Sequence, residues 1–195
     1  MIPIFNHSHV LPPYAGDSPK QAALSSPYET SAVELVSRLG STRERRALLS
    51  GLFAYRQALR DLGFVQGFQW LDGSFVENIE VFATRAPNDI DVVTFVFKPA
   101  GMDVAEVTAL MYSRADIFEP AQARQRFHCE SYVVPLDGRP EKLVVRAAYY
   151  QGLFSHRRGD NVWKGMLMLP LQSDDAAATA QLSRMAEGED DAATA

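Results

Sequence analysis

Hydrophobic positions in the first third of the chain recur at helical spacing. Leu48, Leu52, Tyr55, Leu59 and Leu62 follow one another at intervals of four, three, four and three, which makes one apolar stripe on a helix. Ser41-Thr-Arg-Glu44 ahead of it has the pattern of a capping box, with Ser41 at the N-cap, and Gly63 closes the helix. The opposite face carries Arg43, Arg45, Arg46, Arg56, Arg60 and Asp61 and reads as solvated, so the helix is expected to cover a sheet. A shorter amphipathic helix over Glu29–Leu39, stopped by Gly40, precedes it.

Beyond Gly63 the period shortens. Phe68–Leu71 reads as a short strand that runs into Asp72-Gly73-Ser74, and Phe75–Val81 as a turn or two of helix. Ala86-Pro87-Asn88 is a turn, and Asp89–Phe97 is a strongly apolar strand. Val104–Tyr112 is helical, with a further turn near Pro120–Gln125. Phe127–Leu136 and Leu143–Tyr149 read as strands joined by a hairpin-type turn at Asp137-Gly-Arg-Pro140, and Gly165–Leu171 as a last short strand. Helices and strands in this order imply an α+β (α/β two-layer) domain over residues 29–170. Residues 1–28 contain Pro3, Pro12, Pro13, Pro19 and Pro27 and read as an extended arm, ordered only where Ile4, Phe5, Val10, Leu11 or Tyr14 find a groove.

Charge alters this picture in one place. The 195 residues carry a formal net charge of −5, all of it in residues 171–195, where six acids face only Arg184. That acidic segment has few core formers, so disorder or a marginal helix is expected, with no part in folding. The remainder is neutral, and the acidic total therefore does not argue against a phosphate-bearing substrate. No run of eighteen apolar residues exists to span a membrane. Cys129 is the only cysteine, which precludes an internal disulfide and makes a reducing cytoplasm the expected location.

Three places carry candidate chemistry. At Asp72-Gly73-Ser74 a strand ends where a helix is expected, and glycine, free N–H groups and a hydroxyl together suit a phosphate. Asp89 and Asp91 open the apolar strand two residues apart, so they share a face about 6–7 Å apart at the backbone. A divalent cation would relieve their repulsion. The alternative is that Asp89 caps a turn and Asp91 pairs with an arginine. Glu130 shares a strand face with His128 and Tyr132, and would supply a third carboxylate if its strand lay beside Asp89–Phe97.

Gly73-Ser74 followed by Asp89-Ile90-Asp91-Val92 on a strand resembles the signature of the DNA polymerase β-like nucleotidyltransferase superfamily. The runs WLDGSFVE, PNDIDVV, GLFSHRR and WKG are similar to an uncharacterised bacterial family of small, minimal nucleotidyltransferase-like proteins, over residues 10–170. The resemblance implies a mixed or antiparallel sheet covered by helices on one side. It implies that Gly73 and Ser74 hold the phosphates of a nucleoside triphosphate. Asp89, Asp91 and Glu130 would be both catalytic and metal-binding, with Mg²⁺ (or Mn²⁺) as cofactor. Residues 75–88, fourteen in all, make a slightly longer spacer than the superfamily usually shows, and Glu130 stands where Asp is commoner. For the charge of the leaving group, Arg157 and Arg158 are preferred within a basic segment that also holds Arg146, His156 and Lys164; Arg85 is possible and Lys98 too distant. The implied reaction moves a nucleoside monophosphate to a hydroxyl on a protein, RNA or small molecule, in a toxin–antitoxin or phage-defence setting. The alternative is a catalytically inactive binding or antitoxin-like module of the same fold. A GxxxxGK[ST] loop and a GxGxxG motif are both missing from the sequence.

Overall fold

Alternation along the strands decides which residues meet which helices. The computed structural model describes residues 1–194, with side chains through Gly188. Its strands are β1 (Tyr28–Glu29), β2 (Gly67–Asp72), β3 (Ile90–Val96), β4 (Cys129–Pro135) and β5 (Leu167–Pro170). They form one sheet in the order β1-β5-β2-β3-β4. β2 is antiparallel to both β5 and β3, whereas β3 runs parallel to β4 and β5 parallel to β1. The fold is therefore α+β with a mixed sheet.

The helices are α1 (Ala32–Leu39), α2 (Arg43–Asp61), α3 (Ile79–Ala83), α4 (Val104–Ser113), α5 (Ala115–Phe118), α6 (Pro120–Phe127), α7 (Pro140–Phe154) and α8 (Asp175–Thr194). Ile90, Val92 and Val96 of β3 point into the larger core, with the α2 stripe of Leu48, Leu52, Tyr55 and Leu59. Val93 and Phe95 point the other way, into a smaller cluster with Tyr150 and Phe154 of α7. Phe95 stacks on Phe68 at 4.9 Å between centroids and meets Trp70 edge-on at 4.6 Å.

Several expectations change. Leu143–Tyr149, read as a strand, belongs to α7: Pro140 occupies the first turn, where its missing N–H costs nothing. Leu143, Ala147, Tyr150 and Phe154 then make a helical stripe against the smaller cluster. Thr42 rather than Ser41 caps α2, accepting a hydrogen bond from the Arg45 N–H. The arm is anchored more firmly than expected, with Val10 and Leu11 fully buried, Ile2 nearly so, and Ile4 exposed.

The basic face of α2 is the largest correction. Arg45, Arg46 and Arg56 are buried, not solvated. Arg45 forks onto Glu80 and donates to the carbonyls of Phe75 and Glu77. Arg56 is paired with Asp175 through Nε at 2.7 Å and donates to Gln69 and the Pro170 carbonyl. Asp175 opens α8, so the acidic segment takes part in folding: Ala178 and Leu182 are buried in the larger core. The charges at Glu189, Asp190 and Asp191 lie outside the described side chains.

Candidate functional site

Pairing register brings carboxylates from three strands into one row. Asp72, the last residue of β2, pairs with Asp91 of β3, and Asp91 pairs with Glu130 of β4. Adjacent strands lie about 4.8 Å apart, so neither carboxylate beside Asp91 is far from it. Asp89 precedes β3 on the same face as Asp91. All four line a cleft of about 340 Å³ with Gly73, Ser74, Arg85, Arg157, Arg158 and Lys164. Every site residue expected from the sequence is thus at one place, and Asp72, Glu77 and Lys164 join them.

Gly73 is fixed by its position. Its φ is +82°, and a Cβ there would come within 2.8 Å of Asp91 Oδ2. Only glycine allows the turn to run so close beneath that carboxylate. Ser74 then opens a 3-10 turn over Ser74–Val76, and its hydroxyl makes no hydrogen bond among the described residues.

The electrostatics are unbalanced. Burial pushes the Asp91 carboxyl up to about 6, and the neighbouring Asp89 and Glu130 charges push the same way. Burial also raises Asp89; Arg124 of α6, with Nε 2.6 Å from Asp89 Oδ2, opposes that rise, as do Arg158 and Arg85. Burial takes Asp72 up to about 8, although Lys164 Nζ lies 3.3 Å from its Oδ2. That ammonium is shared: it also donates to Glu77 at 2.8 Å and to the Gly73 carbonyl at 3.1 Å. One cation between two buried carboxylates leaves Asp72 undercompensated, and its Oδ1 is buried with no hydrogen-bond partner. Glu130 accepts a hydrogen bond from the Tyr132 hydroxyl at 2.7 Å, which holds that phenol well above its ordinary range.

The two arginines separate. Arg157 is buried, paired with Asp160, bonded to the Ser8 carbonyl and stacked on Phe82. Arg158 is exposed, makes no ion pair among the described residues, and draws down the carboxyls of both Asp89 and Asp91.

Carboxylate oxygens are hard donors that suit Mg²⁺ or Mn²⁺, which commonly take one or two protein carboxylates and complete their shell with water and phosphate. The described residues contain no preformed group of three or more metal-ligating side chains. The partly uncompensated charge at Asp91 and the orphaned Asp72 Oδ1 nevertheless fit a cation of this kind, provided Asp89 turns from Arg124. Asp72 could have been found in the sequence, because Phe68, Trp70 and Asp72 alternate onto one strand face. Lys164 stood in the sequence within the WKG run and the basic segment around Arg157 and Arg158, with nothing to mark it as the partner of Asp72.

Residues 3–170 match the sequence model of a family of unknown function, DUF6932. The chain belongs to that family. The match spans the whole sheet and the cleft, and it ends where β5 ends, before α8. No curated protein and no solved structure matches the chain. No helix among the described residues is long and apolar enough to cross a membrane.

Proposed function

We propose that the chain is a metal-dependent nucleotidyltransferase that moves a nucleoside monophosphate from a triphosphate to a hydroxyl acceptor. The observation that carries this reading is the row Asp72–Asp91–Glu130 in register across three strands, with Asp89 beside it and Gly73 directly under Asp91. Gathering a buried Asp72 with half-buried Asp91 and Glu130 is costly when Lys164 is the one ammonium beside them among the described residues, and a divalent cation would balance the row. Mg²⁺ or Mn²⁺, when bound, would neutralise triphosphate charge and polarise the α-phosphate. Asp89, Asp91 and Glu130 would hold it. The backbone at Gly73 and Ser74 and the Ser74 hydroxyl would hold the terminal phosphates, and Arg158 would face the charge that develops on pyrophosphate. As the acceptor oxygen bonds to the α-phosphorus and the bond to the β-phosphate breaks, Glu130 would take the hydroxyl proton. The acceptor is a hydroxyl on a protein, RNA or small molecule, and a buried lone cysteine suits a cytoplasmic setting.

The Asp89–Arg124 pair favours a second reading, a binding or antitoxin-like module without turnover, because an arginine there can stand in for the cation. Thermal unfolding with Mg²⁺ and each triphosphate tests the binding. At ligand a hundredfold over Kd, stabilisation of about 2.7 kcal/mol should raise Tm by roughly 5–10 °C. The same additions should leave an Asp89→Ala/Asp91→Ala variant unmoved. If wild type shifts no more than the variant, the site does not hold a metal–nucleotide complex. Transfer from α-labelled triphosphate to an acceptor in lysate then separates enzyme from module.

A further inference from the structure

Phe82, in the short helix α3, lines the same cleft as the carboxylates and is 48% exposed. An aromatic side chain half open to water beside a polar cleft contributes little to the core, and neither core cluster includes it. Its ring is not loose. The Arg157 guanidinium lies 3.8 Å from its centroid. Arg157 is in turn fixed by Nε hydrogen bonds of 3.1 and 3.0 Å to the Asp160 carboxylate and by a 2.8 Å bond to the Ser8 carbonyl. A buried, doubly anchored guanidinium thus backs one face of the ring, and the exposed half remains open to the cleft.

We infer that Phe82 is the platform on which the nucleobase of a bound triphosphate stacks, with Arg157 as the positioning residue behind it. The inference rests on the nucleotide reading of the cleft and adds what holds the base. The cleft volume of about 340 Å³ is at the lower end for a ligand site, so a base resting partly on an open rim is a better fit than one enclosed. Every base offers a π-face, and the larger purines offer more, so stacking favours ATP and GTP over CTP and UTP without hydrogen-bond readout. It also gives Arg157 a role other than contact with phosphate, because each of its three nitrogens already donates to Asp160 or to the Ser8 carbonyl.

Calorimetric titration of the full chain with Mg²⁺ and either ATP, GTP, CTP, UTP or inorganic tripolyphosphate separates the base from the phosphates. Wild type should bind ATP and GTP more tightly than tripolyphosphate. Phe82→Ala should weaken ATP and GTP about tenfold and leave tripolyphosphate unchanged. Phe82→Trp should restore purine binding, and its indole fluorescence should be quenched by ATP and not by tripolyphosphate. Equal affinity of wild type and Phe82→Ala for all five probes overturns the platform and leaves the metal–phosphate reading standing. Tripolyphosphate bound as tightly as ATP by wild type overturns it as well. Failure of wild type to bind any probe overturns both readings together.

Discussion

Arg56 and Asp91 act on opposite faces of the same pair of strands, and the protein treats their charges in opposite ways. Behind the sheet, Arg56 is fully buried and still satisfied: Asp175, Gln69 and the carbonyls of Pro170 and Leu171 take its donors, and Gln69 passes the network on to Thr94. Three register positions along, Asp72 and Asp91 face each other with too little positive charge between them. Buried charge that is fully paired is consistent with architecture. Carboxylates left partly unpaired in a cleft, Asp72 buried and Asp91 half-buried, are what the proposed binding of a cation would balance.

Removing the satisfied charge should have the largest effect. Arg56→Met leaves the Asp175 carboxylate to Arg60 alone, whose Nη1 lies 2.6 Å from Oδ2, and removes the donor to Gln69 Oε1, and should cost about 3 kcal/mol, or roughly 10 °C in Tm. Arg56→Met combined with Asp175→Leu should recover much of the loss, because the uncompensated charge goes with its partner. A single-variant loss below about 1 kcal/mol in urea unfolding would show that the network is ornamental and that the two faces do not differ.

The unsatisfied half should respond with the opposite sign. The folded-state pKa of Asp91, about 6, lies above its ordinary value of 3.8, so the folded state holds the proton more tightly than the unfolded chain. Stability without metal therefore falls as pH rises from about 4 to about 6, and the lost stability, roughly 1–3 kcal/mol, stays lost above that window. Asp91→Asn removes this ionisation and should unfold at higher temperature than wild type at pH 7.5, with the advantage gone by pH 4. An Asp91→Asn variant less stable than wild type at pH 7.5 would mean that the carboxylate is already compensated.

Gly73→Ala probes the contact between turn and carboxylate. A backbone at φ +82° and ψ −166° is a region open essentially to glycine and costs a residue with a Cβ about 1–3 kcal/mol, and here the Cβ also meets Asp91 Oδ2. Stability should drop by at least that amount, and binding of Mg²⁺ with tripolyphosphate should drop further, because the carboxylate must move. A variant that loses stability but keeps full metal–phosphate binding would separate the turn from the site.

How much of this the sequence disclosed follows the same division. The α2 stripe, the β3 strand and the positions of Gly73, Asp89 and Asp91 were legible because each rests on local periodicity or turn chemistry. Partnership across the chain was not. Arg56 looked like a solvated charge because its partner, Asp175, lies 119 residues away in a segment with few core formers. Asp72 looked like part of a turn because its alignment with Asp91 depends on strand register. Val144 and Val145 made α7 look like a strand, yet both are exposed on a helix whose buried stripe is Leu143, Ala147, Tyr150 and Phe154. β-branched content was outweighed by the helical start at Pro140 and by packing.

Arg124→Gln is the finest of these tests, because it removes an ion pair that belongs to the cleft and not to the architecture. The pair is close, 2.6 Å, but the Arg124 side chain is 51% exposed, so its contribution to stability should be no more than about 1 kcal/mol. Tm should move by less than about 4 °C, far less than for Arg56→Met. Its effect on binding should be larger than its effect on folding. Arg124 pairs with the Asp89 carboxylate at 2.6 Å and so competes with an incoming cation for it, whereas Arg158 and Arg85 oppose the upward push of burial without such a contact. Mn²⁺ affinity at pH 8 should therefore rise in Arg124→Gln. A fall in Mn²⁺ affinity would show that the arginine orients Asp89 toward the site instead of competing for it. A loss of stability on the scale of Arg56→Met would place Asp89 with the structural charges behind the sheet.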